Sequence, residues 1–200
     1  MMIKNIIFDM GRVLVEFYPE DFLTKEGITD KEERELLLRE IFHHEDWTNM
    51  DAGIMSEQEM YDEAVKRIPE HLHQTAHNLI FDWNDPIIPV KGMEDFVREC
   101  KEKGYGIYLL SNASVAQPVY WLRIPGHQYF DGTVVSALEK IMKPDVRIYQ
   151  ILLDRYGLKA EECLFIDDVA RNIKGAEKAG IRGYLFDGDV DKLRKYINDL

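Results

Sequence analysis

Only two cysteines occur in 200 residues, Cys100 and Cys163, far apart and without CxxC spacing. They leave no basis for a disulfide framework or a thiolate metal site, and both read as small buried apolar residues. No apolar run approaches the roughly 18 residues of a membrane span, and the run from Ile3 to Phe8 is interrupted by Asp9 too soon for a signal peptide. The cytoplasm is the expected compartment. Positive charge is scarce as well: 25 Lys and Arg against 37 Asp and Glu leave a net charge of −12, which argues against nucleic acid and anionic membranes as partners. Also missing are GxxxxGK(S/T), GxGxxG and GxSxG, the local signatures of a nucleotide-binding loop, a dinucleotide fold and a serine hydrolase.

What is present is alternation. Ile3 to Phe8 has the β-branched and aromatic character of a strand, closed by Asp9 and Gly11. From about Val15 to Trp83 the pattern turns helical, with Thr29-Asp30-Lys31-Glu32 and Ser56-Glu57-Gln58-Glu59 reading as capping boxes. After Pro86 and Pro89, helical stretches begin near Met93, Val115, Asp145, Ala170 and Val190. Between them lie strands over Tyr105 to Leu110, Thr133 to Ser136, Cys163 to Ile166 and Gly183 to Phe186. Strands separated by helices imply an α/β fold, a three-layer Rossmann-like parallel sheet with helices on both faces. The expected division is a core of residues 1–15 and 87–200, with an inserted helical cap of residues 16–86.

Three of the expected strands end in polar groups: Asp9, Ser111-Asn112 and Asp167-Asp168; Lys143 follows a fourth. In an open parallel sheet such ends converge on one edge, where ligands bind. Two or three carboxylates gathered there would repel one another unless a cation joined them, and hard oxygen donors select Mg2+. A carboxylate beside such an ion can act as a nucleophile, while a lysine and a hydroxyl neutralise the oxygens of a transferring phosphoryl group.

FDMGRVL, LLSNAS, KPD and LFIDD, in this order, resemble the four motifs of the haloacid dehalogenase (HAD) superfamily. The chain looks most like the small capped phosphatases related to alpha-D-glucose-1-phosphate phosphatase. The resemblance implies that Asp9 is the nucleophile and a magnesium ligand, with the Gly11 carbonyl and Asp168 as further ligands and Asp167 beside them, orienting metal-bound water. It implies that Ser111 and the N–H of Asn112 hold phosphoryl oxygens, and that Lys143 bridges phosphate and nucleophile. Asn172 would support the outer shell of the metal. The expected partner is a small phosphorylated metabolite, and the expected assembly a monomer or small homo-oligomer.

One position departs from the pattern. Most phosphatases of this superfamily carry a second aspartate two residues after the nucleophile, as general acid and base; here that position is Gly11. General acid–base help contributes about 10² to 10⁴ in rate. Three readings follow from its absence. The substrate has a good leaving group, as the anomeric oxygen of a hexose 1-phosphate is. Alternatively, water or a cap residue supplies the proton, with His43-His44-Glu45-Asp46 as the evident cap cluster. In the third, catalysis is weak and the chain is a phosphate-ligand binding protein. A 2-haloacid dehalogenase, which uses the same aspartate without a metal, is disfavoured by the Asp167-Asp168 pair.

Other signals carry less. His71, His73 and His77 form HxHxxxH in a polar segment and read as a solvated surface. Arg12 either touches an anionic substrate or points to solvent. Trp47, Tyr61, Phe81 and Trp83 read mainly as cap core, with Trp47 the best placed for substrate contact.

Overall fold

The computed structural model describes residues 2–200. Five parallel strands, β1 (Asn5–Phe8), β2 (Gly106–Ser111), β3 (Gly132–Val135), β4 (Cys163–Asp167) and β5 (Arg182–Leu185), form one sheet in the order β3-β2-β1-β4-β5. From β1 the chain builds outward to β2 and β3, then returns to add β4 and β5 on the other side. The end of β1 is therefore the topological switch point, where the crevice of such a sheet lies.

Burial on both faces explains the unbroken apolar run of β1. Ile6 and Phe8 pack one way, with Phe96 and Val97 of α6 (Met93–Glu102) and Leu193 and Ile197 of α11 (Val190–Asn198). Ile7 packs the other way, with Ile148 and Leu152 of α9 (Val146–Tyr156) and Ala176 of α10 (Ala170–Lys178). Alternation of side chains along a strand sends neighbours to opposite faces, so a doubly covered strand is apolar throughout. Two short helices, α7 (Gln117–Trp121) and α8 (Ser136–Glu139), follow β2 and β3.

Between β1 and α6 lie α1 (Pro19–Lys25), α2 (Lys31–Leu37), α3 (Glu45–Asp51), α4 (Glu57–Ala64) and α5 (His73–Phe81). Their buried residues, from Leu23 to Ile80, form a hydrophobic cluster of their own. The chain leaves and re-enters the sheet layer side by side, with Glu16 N–H donating to the Ile88 carbonyl at 2.7 Å and Val90 N–H to Leu14 at 3.0 Å. Ser56 and Glu59 close the expected capping box on α4. At α2 the cap is instead Asp30, whose carboxylate accepts from Glu33 N–H at 3.0 Å. The N-cap expected at Thr29 thus lies one residue on, at Asp30, whose carboxylate reaches the third amide of the helix.

Candidate active site

Each polar strand end reaches the same edge. Asp9 follows the last residue of β1, Ser111 closes β2, Asp167 closes β4 and Asp168 follows it. Oxygen atoms of Asp9, Asp167 and Asp168 lie within 4.8 Å of one another, the one such cluster of possible metal ligands among the described residues. Asp9 is 8% exposed and Asp167 fully buried.

Lys143 neutralises two of the three. Its Nζ lies 2.7 Å from Asp9 Oδ1 and 2.8 Å from Asp167 Oδ2, and donates to the Leu110 carbonyl at 2.9 Å. The lysine is 2% exposed, and the adjacent carboxylates raise its pKa against the opposing effect of burial. Asn112 holds the same residue by its backbone: its Nδ2 donates to the Lys143 carbonyl at 3.1 Å, and the Lys143 N–H donates to Asn112 Oδ1 at 2.9 Å. A role for the Asn112 N–H was expected from sequence; the reciprocal side-chain clamp was not.

Asp167 has little capacity left for a metal. Its Oδ1 accepts from Val169 N–H at 2.7 Å and Asn172 Nδ2 at 3.2 Å, and its Oδ2 from Lys143 and from Asn172 Nδ2 at 3.0 Å. Two carboxylate oxygens offer about four acceptor positions, all used here. Asp168 is freer, held by Arg12 Nη1 at 3.1 Å. Arg12 stands in the left-handed region at φ 58° and lies over the Tyr18 ring, so it turns to a carboxylate of the site and keeps an exposed flank.

Burial pushes the Asp9 carboxyl well above the ordinary carboxylate range, with Asp167 adding to the rise and Lys143 opposing it. A divalent cation between Asp9 and Asp168 would reverse that rise, since the charged form would gain a partner. The donor set fits such an ion. It is all oxygen, which suits Mg2+ rather than zinc, and Asn172 Oδ1 is buried beside it without a hydrogen-bond partner. Asp9, Asp168 and the Gly11 carbonyl are the groups that could hold it.

Above Asp9 opens a cavity of about 110 Å³, lined by Asp9, Met10, Gly11, Asn112, Ala113 and Ser114 from the sheet side. From the helical side come Phe17, Trp47, Met50, Asp51 and Trp83, and Tyr120 of α7 packs edge-on against Trp83 beside them. Phe17 joins the aromatic wall, its ring centroid 5.0 Å from Trp83 and 5.9 Å from Trp47. Of the four aromatics singled out in the sequence, Trp47 and Trp83 line this space, whereas Tyr61 and Phe81 pack in the helical cluster. Ser111 is buried at the end of β2 and Lys143 beneath Asp9; neither is among the lining residues.

The His43-His44-Glu45-Asp46 cluster is not in the cavity. His44 caps α3, its Nδ1 accepting from Asp46 N–H at 3.3 Å, and Asp46 is buried against Arg67 Nη2 at 2.8 Å. It is the opposite end of α3, at Asp51, that reaches the sheet edge. The HxHxxxH histidines also diverge: His71 pairs with Glu33, His73 meets the Ile68 carbonyl, and His77 stacks on Phe81. Sequence reasoning passed over Asp51, whose only local signal is a carboxylate two residues before Gly53 at a helix end.

A family model, haloacid dehalogenase-like hydrolase, matches residues 3–180. The chain belongs to this family. Among curated relatives, the sesquiterpene phosphatase of Aspergillus oryzae is 28% identical over 182 residues, 90% of this chain and 88% of the relative. A phosphatase of Mycobacterium tuberculosis is 32% identical over 106 residues, 52% of this chain and 49% of the relative. In structure, a HAD-family enzyme of Bacteroides thetaiotaomicron superimposes with a TM-score of 0.72 at 22% identity, covering 98% of this chain and 99% of that one. A variant of that enzyme, solved with magnesium and inorganic phosphate, gives 0.69 at 22% identity over 96% of this chain and 98% of its own. The HAD fold expected from the motifs is thus shown, and the chain is an enzyme of the HAD phosphatase type. No helix among the described residues is long and apolar enough to cross a membrane.

Proposed function

We propose that this HAD-type phosphatase is magnesium-dependent and hydrolyses a small phosphomonoester through a phosphoryl group carried on Asp9. The observation that carries the reading is the Asp9 carboxylate, facing a cavity and paired on its inner side with a buried lysine 2.7 Å away. Chemistry then follows from this chain's own residues. Lys143 orients Asp9 and offers positive charge to the arriving phosphoryl oxygens, and Ser111 and the Asn112 N–H at the end of β2 supply hydrogen bonds to the same group. Asp9 attacks phosphorus in line with the leaving oxygen, and water later returns the carboxylate. Bound Mg2+ would supply further neutralisation of phosphoryl charge, held by Asp9, Asp168 and the Gly11 carbonyl. Asp167, saturated by Lys143, Asn172 and Val169 N–H, positions the lysine.

The reading includes a division of labour between a core, residues 1–15 and 87–200, and a cap, residues 16–86, whose aromatic wall closes over the substrate. It also includes a cytoplasmic setting and a small phosphorylated metabolite rather than nucleic acid, consistent with a net charge of −12. For the leaving group, a hexose 1-phosphate is the first class: its ring face suits Trp47 and Trp83, and its hydroxyls can reach Asp51, Asn112 and Ser114. A second class, an apolar alcohol phosphate, is favoured by the predominance of Phe17, Trp47, Trp83 and Tyr120 on the walls. A panel of phosphomonoesters assayed with Mg2+ separates the two. Absence of chelator-sensitive phosphate release from every member, or full turnover by Asp9→Asn, would overturn the reading.

A further inference from the structure

Asp51 lines the cavity above Asp9, and the sequence pattern lacks a carboxylate at position 11. The backbone does not demand glycine there: Gly11 is not in the left-handed region, and a Cβ would meet nothing closer than Phe17 Cβ at 3.7 Å. The enzyme has the room for an acid at 11 and lacks one. On the opposite side of the same cavity, at the end of α3, stands a carboxyl group.

The position of Asp51 is set by the sheet layer. Its backbone carbonyl accepts from Ser136 Oγ at 2.6 Å, and the same hydroxyl accepts from Ala113 N–H at 2.9 Å, beside the Ser111-Asn112 loop. Two residues on, Gly53 adopts φ 68°, and a Cβ there would lie 2.2 Å from the Ala137 carbonyl oxygen. Only glycine permits that approach of the helical layer to α8. The end of α3 is thus pinned over the loop that carries the phosphoryl-binding groups. Among the described residues no salt bridge reaches the Asp51 carboxylate; Asp46, five residues earlier on the same helix, is occupied by Arg67.

We propose that Asp51 is the catalytic acid and base of this enzyme, supplied by the cap in place of a side chain at position 11. The inference rests on the phosphatase reading and deepens it. In the first half-reaction Asp9 Oδ bonds to phosphorus while the bond from phosphorus to the leaving oxygen breaks. The Asp51 carboxyl proton passes to that oxygen, and a neutral alcohol leaves. In the second half-reaction the Asp51 carboxylate takes a proton from water as the water oxygen attacks phosphorus. The bond to Asp9 breaks, inorganic phosphate departs, and both groups are restored. Burial against the cavity wall, with Asp9 and Glu57 nearby and the Trp47 indole N–H and Lys143 in opposition, pushes the Asp51 carboxyl up to about 7, a value suited to both steps. With such a donor the substrate need not have an anomeric leaving group.

The experiment compares leaving groups. With Mg2+ present, wild type, Asp51→Asn, Asp9→Asn and the double variant Gly11→Asp/Asp51→Asn are assayed on 4-nitrophenyl phosphate, whose phenolate leaves unaided, and on 2-phenylethyl phosphate, whose alkoxide does not. Asp51→Asn should lose about 10²-fold or more in kcat/KM, which reports leaving-group departure alone, on the alkyl ester and far less on the aryl ester, and the double variant should regain alkyl turnover. In the wild type, log kcat/KM should vary little with leaving-group basicity across a series of aryl and alkyl esters. A steep dependence in the wild type, or an equal loss in kcat/KM on both esters in a folded Asp51→Asn, overturns the proposal. Asp9→Asn reports separately: its retained turnover would remove the phosphatase reading itself, whatever Asp51 does.

Discussion

The Nζ of Lys143 lies 2.7 Å from Oδ1 of Asp9, and both groups are almost wholly removed from solvent. A buried charge pair of this kind is tolerable only because each partner is satisfied, and here the lysine also serves Asp167 and the Leu110 carbonyl. Replacing it strands two carboxylates. Lys143→Met should therefore abolish turnover and cost about 3 to 5 kcal/mol in metal-free protein, read by urea denaturation.

Asp9→Asn should behave in the opposite way on stability. It removes a buried negative charge facing Asp167 and keeps the side-chain shape. Phosphate release should fall to background while the thermal midpoint stays level or rises, measured by calorimetry in chelator.

Metal binding should be visible without turnover. Mg2+ added to the protein should raise its melting temperature, with about 2.7 kcal/mol of stabilisation at a hundredfold excess over Kd. Asp168→Asn should remove most of that shift. Arg12→Ala, which frees the Asp168 carboxylate from its 3.1 Å partner, should leave the shift intact or enlarge it.

Asp51 makes stability depend on pH. Its carboxyl, raised from the ordinary 3.8 to about 7 in the folded protein, keeps a proton between these values that the unfolded chain has lost. Stability in metal-free protein therefore falls as pH rises through that window and stays reduced above it. The groups facing it act in both senses: Asp9 and Glu57 sharpen the effect, and Lys143 and Trp47 soften it. Asp51→Asn should melt higher than wild type at pH 8, by about 2 kcal/mol after allowance for partial exposure, and equally at pH 4. Circular-dichroism melts at the two pH values test this.

Gly53→Ala should weaken the docking of α3 on α8. The added methyl meets the Ala137 carbonyl carbon and oxygen, and φ 68° is itself unfavourable for alanine. A loss of about 2 kcal/mol or more in stability is expected, with a larger fall in kcat/KM on alkyl than on aryl phosphates as Asp51 shifts from its place.

Much of this architecture could be read from residue order. The apolar run before Asp9, the glycine stops after helices and the acidic pair after Ile166 mark strand ends whose convergence follows from parallel-sheet topology alone. Boundaries moved by only a residue or two: β2 begins at Gly106 rather than Tyr105, and Ser136 opens α8 rather than closing β3. Asn112 shows where this reading stopped. Its type and place at a strand end pointed to phosphate, yet its side chain spends both polar atoms on the backbone of a residue 31 positions away.

The doubly wound sheet, the strand-end carboxylates and lysine, and the missing acid at position 11 are legible in residue order, because they depend on local periodicity and on connection rules. Which side chain of the helical layer lines the cavity above Asp9 follows from packing alone. A seven-residue helix has two ends about 10 Å apart, and nothing local says which one faces the sheet. The Ser136 hydrogen bond and the close approach at Gly53 choose the end with Asp51 over the end with the histidines.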